Sequence, residues 1–295
     1  MRRSTHPLID IGVNLSSSRL YTRYEEILSR ALESGVGGLI LTGTDLESSA
    51  LLARFCSEPR LNSPQLWSTA GVHPHDSAKV EAQDKDWRET LSVLLQNDRV
   101  ISVGECGLDF ERDYSPRDIQ RQVFESQLEL AVEFQKPLFL HQRGAGETFL
   151  DLLREYAPQL PKRIDDTGEH TIAAVVHCYT EGPKLMESLL ELGCYIGITG
   201  WICDERRADS LRSAVTSLPL QRVLIETDAP YLLPRTLRPK PKKGFNEPCY
   251  LPHIVEHISM YLGEPVDVLE RASRENTERL FSISLNRSDA TQIDT

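Results

Sequence analysis

The size, charge and cysteine content of the chain exclude several classes of protein. With 295 residues and a mass of 33.4 kDa, the chain is long enough for one large α/β domain or two smaller ones. The net charge of −11 argues against a wide groove for nucleic acid, because such grooves depend on clustered Lys and Arg, and no apolar run approaches the ~20 residues of a membrane-spanning helix. The six cysteines form no C-x-x-C pair, a pattern typical of reduced thiols in a cytosolic protein.

The first residues do not alter the expectation of a cytoplasmic protein. Arg2 and Arg3 are similar to the start of a twin-arginine export signal, but Pro7 and Asp10 stand where such a signal needs a long apolar region. We therefore expect a cytoplasmic protein without a membrane partner. Nothing in the sequence calls for an oligomer, so we expect a monomer.

Eight short apolar runs, rich in β-branched residues, recur along the chain. They cover residues 8–14, 37–44, 66–73, 100–109, 137–143, 173–180, 195–201 and 223–230. Stretches with helical periodicity separate them. The first, "RYEEILSRALESG", ends with Gly35 in the position of a C-terminal cap, and a long helix is predicted to begin with Ser115 as N-cap and Pro116 as its first residue. Two further helices, "LPHIVEHISMYLG" and "VDVLERASRENTERLF", follow the last run.

This alternation predicts a parallel sheet built from βα units. Eight strands match a (β/α)₈ TIM barrel better than a doubly wound sheet, which usually has about five or six strands. No shift in composition marks a domain boundary, so we predict one barrel domain over residues 1–284 and a flexible tail over residues 285–295. Residues 158–170 are polar and contain Pro and Gly, and we predict that they form an exposed loop.

Nearly every predicted strand ends in a residue that can bind a metal ion or move a proton. These residues are Asp10 and Asn14, His73 and His75, Glu105 and Asp109, His141, His177, and Asp228. In a barrel the carboxyl ends of all strands lie at one face, where barrel enzymes place their active sites. A single histidine at a strand end is more often structural, but four of the eight histidines at such ends indicate a shared site. The others, which we interpret as structural, are His6, His170, His253 and His257.

Carboxylates and imidazoles together predict a divalent-metal site. Glu105 and Asp228, with His141 and His177, are ligand types that suit Zn²⁺, Mn²⁺ or Co²⁺ and, through the carboxylates, Mg²⁺. A bound cation of this kind lowers the pKa of water from ~15.7 toward ~7, so the predicted chemistry is hydrolysis. The alternative is a buried polar network without a metal, and the cost of burying uncompensated charges counts against it.

The motifs that contain these residues carry a family resemblance. "DIGVNL", "STAGVHPHD", "GECGLDF", "LHQR", "VVHCYT", "GITGWICDERR", "LIETDAPYLLPR" and "FNEP" resemble the successive motifs of the TatD family of metal-dependent deoxyribonucleases, from the first strand to the closing helices. The resemblance implies a cytoplasmic, metal-dependent 3′ to 5′ exonuclease that acts on single-stranded DNA or RNA, works with Mg²⁺ and serves DNA repair or turnover. It also implies residue roles: metal ligands Glu105, His141 and His177, acidic ligand or base Asp228, and phosphate neighbours His73 and His75.

One departure from the family pattern concerns the first strand. Many members of the wider group carry a His-x-His pair just after the first-strand acid, where this chain has Gly12 and Asn14. A glycine offers no ligand, and an amide oxygen is a weak, neutral one. We therefore predict that Asp10 and Asn14 form the wall of a weak second-metal position, filled loosely or only when the substrate phosphate supplies oxygens.

These roles predict two cations side by side. We expect the tighter one to bind Glu105 and the two ligand histidines, and the weaker one to bind Glu105, Asp228 and Asn14. Paired cations about 3.5–4 Å apart assist phosphodiester hydrolysis by activating water and steadying the leaving oxygen. Asp228 is the predicted acceptor of the water's proton, because an acid beside cations stays ionised, and His73 is the predicted donor to the departing alkoxide.

Substrate contacts are predicted from a basic loop and two aromatic side chains. The loop "PRTLRPKPKKGFNEP" after the eighth run carries Arg235, Arg238, Lys240, Lys242 and Lys243. We predict that it holds the nucleic-acid backbone together with His75, and a solvated loop without a partner remains the alternative. Trp201 and Phe110 are candidates for stacking on bases, although packing against the core is favoured for both.

Two other functions remain open at this point. A small-molecule amide or ester hydrolase on the same barrel would use the same activated water, and the basic loop mildly favours phosphate substrates over neutral ones. A non-catalytic adaptor that binds nucleic acid or protein has no need for the complete set of acids and histidines. Metal-stimulated turnover separates the enzymes from the adaptor.

Overall fold

The structure, a computed structural model, describes residues 3–165 and 168–285. Arg2 and residues 286–295 of the predicted tail lie outside the described residues. Leu285, the first residue of that tail, donates its backbone N–H to Glu278 Oε1 at 2.9 Å. Within the described residues, every helix is too short or too polar to cross a membrane.

Eight parallel strands form one curved sheet, and two more strands form a separate hairpin. The strands are β1 (Leu8–Val13), β2 (Val36–Leu41), β3 (Gln65–Ala70), β4 (Val100–Asp109), β5 (Leu138–Arg143), β6 (Lys162–Ile164), β7 (His170–Ile172), β8 (Ala174–Val176), β9 (Tyr195–Ile198) and β10 (Val223–Ile225). The large sheet has the order β1-β2-β3-β4-β5-β8-β9-β10. A parallel bridge between Val13 and Ala229 joins β1 to the segment after β10. The predicted (β/α)₈ barrel is confirmed.

Helices cover the outside of the barrel between the strands. They are α1 (Ser18–Tyr21), α2 (Tyr24–Glu33), α3 (Leu46–Ser57), α4 (Ser77–Gln83), α5 (Trp87–Leu95), α6 (Arg117–Phe134), α7 (Gly146–Tyr156), α8 (Pro183–Glu191), α9 (Asp209–Val215), α10 (Leu251–Leu262) and α11 (Val266–Phe281). The helix α2 shows why they pack there: Ile27, Leu28 and Ala31 recur at helical spacing and are all buried. Gly35 follows its C-cap with a φ of 92°, as the sequence predicted.

Two local predictions are wrong. The helix α6 begins one residue later than predicted, with Pro116 as its N-cap, because the hydroxyl of Ser115 instead donates to the His75 carbonyl at 2.9 Å. The predicted exposed loop at residues 158–170 contributes the strands of an antiparallel hairpin, in which Lys162 pairs with Ile172. Arg163 in this hairpin donates to backbone carbonyls at the end of α11, which gives the segment an order that its polar composition does not indicate.

The core has two parts, one inside the barrel and one between the barrel and the helices. Along β1, Ile9 and Ile11 belong to the inner cluster, whereas Leu8 and Val13 belong to the outer one. Both faces of the strand are therefore covered, as expected for a parallel sheet. Leu280 and Phe281, at the end of α11, also join the inner cluster. Leu285 lies beside Gly37 and Gly38 at the start of β2, so this segment covers the amino-terminal end of the barrel.

Candidate metal centre

A cleft of about 940 Å³ opens at the carboxyl ends of the barrel strands. The predicted site residues that line it are Asn14, His73, His75, Glu105, Asp109, His141, His177 and Asp228. They come from six different strand ends and are far apart in the sequence. The barrel topology brings them together, as predicted from their positions.

The carboxylate of Glu105 lies at the centre of this group. Its Oε1 is 2.8 Å from Nε2 of His177, 3.0 Å from Nδ1 of His141 and 3.3 Å from Nε2 of His73. Gly104 precedes it with a φ of 138°, and a Cβ at that position would approach a backbone oxygen of β5 to 2.2 Å. Only glycine therefore lets β4 pass close enough to β5 to present Glu105 in this place.

The imidazoles control the charge of Glu105. The residue is only 5% exposed, and burial alone raises the pKa of its carboxyl. The charge of His177, the nearby imidazole of His73 and the hydrogen bonds from His141 and His177 nevertheless hold that pKa well below its usual range. Burial lowers the pKa of His177, but the carboxylates of Glu105 and Glu226 raise it well above its usual value. The site thus pairs an ionised carboxylate with positive charge.

Hydrogen bonds behind the imidazoles distinguish their roles. Nδ1 of His177 lies 3.2 Å from Glu226 Oε2, so this nitrogen donates, and loss of the proton on Nε2 would leave its lone pair for a cation, as in metal-ligating histidines. Nδ1 of His73 instead accepts the backbone N–H of His75 at 3.1 Å, so a neutral His73 carries its proton on Nε2. Burial lowers the pKa of His73, which keeps it neutral at neutral pH. His73 is therefore arranged to donate a hydrogen bond toward Glu105.

The donor set fits a divalent metal ion. Ligand atoms of His73, Glu105 and His141 all lie within 4.8 Å of one another, and His177 Nε2 adjoins them through Glu105. Nε2 of His141 is buried without a hydrogen-bond partner in the described part of the chain, and it lies 3.5 Å from Asp109 Oδ2. A cation satisfies an orphaned imidazole nitrogen beside converging ligand atoms.

Asp228 and Asn14 lie side by side at the edge of the cleft. Asn14 Nδ2 donates to Asp228 Oδ1 at 2.9 Å. Burial raises the pKa of Asp228 to about 7; His177 opposes this shift, while the charges of Glu226 and Glu105 add to it. Without a cation the carboxyl is therefore only partly ionised at neutral pH, because its surroundings are desolvated and acidic; its ionisation beside cations stays a prediction. Full ionisation at neutral pH requires added positive charge.

Asp10 does not line the cleft, which corrects the expectation that it shares a wall with Asn14. Its Oδ1 accepts the backbone N–H of Thr227 at 2.9 Å and its Oδ2 accepts the Thr227 hydroxyl at 2.5 Å. The residue is fully buried, and burial raises its pKa to about 8. The register of β1 shifts between Asp10 and Val13, so Asp10 and Asn14 do not share one orientation. Asp10 ties β1 to the segment after β10.

Glu226 is the site residue that sequence reasoning missed. It is fully buried, and besides its contact with His177 it accepts the backbone N–H of Cys178. A Cβ on Gly12 would approach its Oε2 to 2.2 Å, and one on Gly197 would approach its Oε1 to 2.6 Å. Glu226 therefore occupies the space that a side chain at position 12 would need. The sequence signal that could have identified Glu226 is an acidic residue inside the apolar run "VLIETDAP".

Asp109 connects two of the histidines. Its Oδ2 is 2.7 Å from Nε2 of His75, and its Oδ1 accepts the backbone N–H groups of Glu111 and Arg112 at 3.1 and 2.9 Å. Burial raises the pKa of Asp109, but the nearby imidazoles of His141 and His75 and the backbone N–H of Arg112 hold it well below its usual range. Asp109 thus remains ionised and orients both imidazoles.

The basic loop does not reach the cleft. Its cationic residues Arg235, Arg238, Lys240, Lys242 and Lys243 are all exposed, and none of them lines the cleft. Arg235 lies 3.8 Å from Asp204, and Lys243 lies 3.8 Å from Glu26. In the described residues, the cationic side chains besides histidine that line the cleft are Arg112 and Arg143.

The two aromatic candidates have different surroundings. Trp201 lines the cleft, and the guanidinium of Arg207 lies 4.4 Å from its ring centroid. Phe110 lines a separate cavity of about 460 Å³, with Arg117 at 4.6 Å from its ring. Both rings are partly buried and pack against the outer core, as the sequence favoured.

The fold and the site define a hydrolytic enzyme built on a parallel barrel, with a carboxylate and imidazole centre at the carboxyl ends of the strands. A family model described as TatD related DNase matches residues 9–282. The chain belongs to this family, and it is a nuclease. The resemblance predicted from the motifs is confirmed.

Relatives with curated names and solved structures agree with this membership. The 3′-5′ ssDNA/RNA exonuclease TatD of Citrobacter rodentium is 45% identical over 278 residues, which cover 94% of this chain and 99% of the relative. The protein of the same name from Escherichia fergusonii is 42% identical over 277 residues, which cover 94% and 100%. The crystal structure of YjjV, a TatD homologue from Escherichia coli, superposes with a TM-score of 0.80 at 26% identity, covering 94% of this chain and 99% of that one.

Proposed function

We propose that this protein is a divalent-metal-dependent exonuclease that removes nucleotides from the 3′ end of single-stranded DNA and RNA. The observation that carries the proposal is the convergence of three imidazole nitrogens within 3.3 Å of one oxygen of Glu105, at the catalytic face of the barrel. The name shared by the curated relatives supports the polarity and the substrate.

Each residue of the centre has a proposed role. Glu105, His141 and His177 hold a divalent cation, which when bound activates water and stabilises charge on the phosphate. Asn14 and Asp228 border a weaker second position. Asp228 lies beside this second position, where a bound cation would keep its carboxyl ionised, so Asp228 takes the proton of the attacking water.

His73 and the outer acids complete the centre. With its proton on Nε2, His73 donates toward the departing oxygen. Glu226 fixes the tautomer of His177 from behind, and Asp109 orients His75 beside the phosphate. The chemistry therefore divides between residues that hold the cation and residues that move or position protons.

The metal we propose is Mg²⁺, with Mn²⁺ as the first substitute. The carboxylates suit Mg²⁺, whereas the two ligand imidazoles suit Mn²⁺, Co²⁺ and Zn²⁺. Turnover measured after chelation and re-addition of each ion decides between them. A protein that is equally active in the presence of excess chelator would contradict metal dependence.

For the nucleic-acid substrate, we propose two kinds of contact with its phosphates. Arg112 and Arg143 line the cleft and contact phosphates near the scissile bond. The exposed loop with Lys240 and Lys242 contacts phosphates further along the strand. Both contacts are electrostatic, so both contribute to the salt dependence of binding.

The test uses single strands labelled at either end. A 3′-labelled strand should release its label at the first cut, whereas a 5′-labelled strand should shorten stepwise. Glu105→Gln should lower the rate at least ~100-fold, and Glu187→Gln, an exposed carboxylate on α8, should leave it unchanged. A near wild-type rate in Glu105→Gln would overturn the assignment of Glu105 to the metal centre. Release of the label from the 5′-labelled strand at the first cut would overturn the 3′ to 5′ polarity.

The competing functions have their own outcomes in the same assays. Turnover of a panel of amides and esters faster than that of oligonucleotides would support a small-molecule hydrolase. Binding of single strands without metal-stimulated turnover would support an adaptor. Family membership favours the nuclease over both.

We further propose that the protein acts as a monomer in the cytoplasm, in DNA repair or nucleic-acid turnover. Light scattering should give a mass near 33.4 kDa in solution. Cells that lack the protein should be more sensitive to DNA damage, and wild-type sensitivity would argue against the repair role.

A further inference from the structure

A second cluster of metal-binding side chains lies outside the candidate metal centre. It joins the 3₁₀ turn Gly200–Cys203, which follows β9, to the helix α10. One ligand atom each of Cys203, His253 and His257 lies within 4.8 Å of the others. Cys203 is fully buried, and both histidines are half-buried, so the cluster is reached from the histidine side. None of the three residues lines the cleft.

The two histidines have the spacing of a helical metal site. His253 and His257 are four residues apart on α10, and their ring centroids are 4.5 Å apart. Two imidazoles at this spacing lie one above the other on a helix face and are used together in helical zinc sites. Nδ1 of His257 lies 3.0 Å from the backbone carbonyl of His253 and donates to it, which leaves the lone pair of Nε2 for a ligand.

The surroundings of His253 hold its imidazole in one orientation. Its Nε2 lies 2.8 Å from the Thr236 hydroxyl, and its Nδ1 lies 3.8 Å from Glu256 Oε2. A hydrogen-bond partner on one ring nitrogen fixes the direction of the other, as it does in metal-ligating histidines.

We propose that Cys203, His253 and His257 form a second metal site, whose occupant is Zn²⁺ or a divalent transition metal of similar preference. One thiolate and two imidazoles suit such ions, whereas Mg²⁺ and Ca²⁺ require oxygen ligands. Three protein ligands leave the fourth tetrahedral position for water, and the Thr236 hydroxyl bonds one ring nitrogen of His253. As the Sγ–metal bond forms, the thiol proton of Cys203 passes to solvent.

The position of this site links it to one side of the cleft. Cys203 lies two residues after Trp201, which lines the cleft, and Thr236 belongs to the segment that begins with the cleft residues Tyr231 and Leu232. A metal ion bound here would hold both segments against α10. Because the ion binds the folded chain, its occupancy should raise the stability of the protein.

Cobalt substitution tests the proposal on the full-length chain. Protein freed of metal by chelation is titrated with Co²⁺, and binding at the proposed site should produce a sulfur-to-cobalt charge-transfer band in the near ultraviolet. The band should disappear in Cys203→Ser and persist in Cys178→Ser, which removes the thiol that lines the cleft. This control separates the site from the candidate metal centre, whose carboxylate and imidazole ligands give no sulfur band.

A second variant keeps the test decisive if Cys203→Ser does not fold. His257→Gln changes a half-buried ligand and should weaken the Co²⁺ affinity that is measured from the sulfur band. The loss should exceed the roughly 10–100-fold that is typical of removing an outer-sphere partner. Absence of a sulfur band in the wild type, a band that survives Cys203→Ser, or unchanged Co²⁺ affinity in His257→Gln would each overturn the proposal.

Discussion

Replacing Gly12 by alanine adds a single methyl group, yet we expect it to destabilise the barrel and to disturb His177. The added Cβ would lie 2.2 Å from Glu226 Oε2, well inside the roughly 3.5 Å of ordinary contact. The carboxylate cannot move freely, because its two oxygens bond the imidazole of His177 and the backbone N–H of Cys178. The methyl group must therefore displace the carboxylate or push β1 outward.

The expected cost follows from these contacts. Overpacking a buried site costs about 1–3 kcal/mol, and losing a hydrogen bond to a charged group costs about 1.5–3 kcal/mol. Only one of these outcomes has to occur, so we expect Gly12→Ala to lower the free energy of unfolding by about 1–3 kcal/mol. For chains of roughly this size each kcal/mol corresponds to about 2–4 °C in Tm.

Urea unfolding of four proteins measures this coupling. The set contains the wild type, Gly12→Ala, Glu226→Ala and the double variant, and removal of the Glu226 carboxylate should abolish the cost of the methyl group. Gly146→Ala is the matched control, since a Cβ there would meet only Leu185 side-chain atoms at 3.7 and 3.9 Å. A change below about 0.5 kcal/mol in Gly12→Ala, or the same cost with and without the carboxylate, would refute the reasoning.

Three further changes have expected outcomes. Glu226→Gln should raise the metal concentration for half-maximal turnover about 10–100-fold. Glu181→Gln, which changes a carboxylate in the separate cavity beside Phe110, should leave it unchanged, and an equal midpoint in both variants would contradict the role of the buried acid. Burial raises the pKa of Asp10 from 3.8 to about 8, so the folded state keeps a proton that the unfolded state releases, and stability should fall as pH rises across this window. Urea unfolding of Asp10→Asn should show a shallower fall, and parallel curves would exclude the effect. Replacing Arg112 and Arg143 by alanine should reduce the salt slope of single-strand binding, measured in chelator, by roughly 0.7 per lost contact; an unchanged slope removes them from the strand path.

The fold and the convergence of His141 and His177 in the cleft were predictable because they depend on local patterns. His141 and His177 each end a short apolar run, and a parallel barrel gathers the ends of such runs at one face. The apolar runs determine where the strands form, and the ends of the strands determine which residues meet in the cleft. Neither step requires knowledge of distant contacts.

The remaining features depend on contacts between distant segments. Glu226 fits behind His177 only because Gly12 and Gly197, on two other strands, leave space for it. The orientation of Asp10 depends on a register shift in β1, which no residue pattern indicates.

The direction of charged and histidine side chains outside the strand ends also depends on distant contacts. The sequence shows the density of positive charge after β10, but not that Arg235 lies 3.8 Å from Asp204 outside the cleft. His253 and His257 follow no strand, and their nearness to Cys203 appears only when α10 packs on the turn after β9.

The end of α11 closes the amino-terminal end of the barrel. Leu280 and Phe281 reach the inner cluster that includes Ile9 and Ile11 of the first strand, so α11 completes a core begun by that strand. A chain that stops before Val266 would expose the barrel's apolar interior to water, and we expect it to be insoluble when expressed. Since the catalytic cleft rests on the same eight strands, a growing chain should acquire nuclease activity only after α11 has been synthesised and has packed against them.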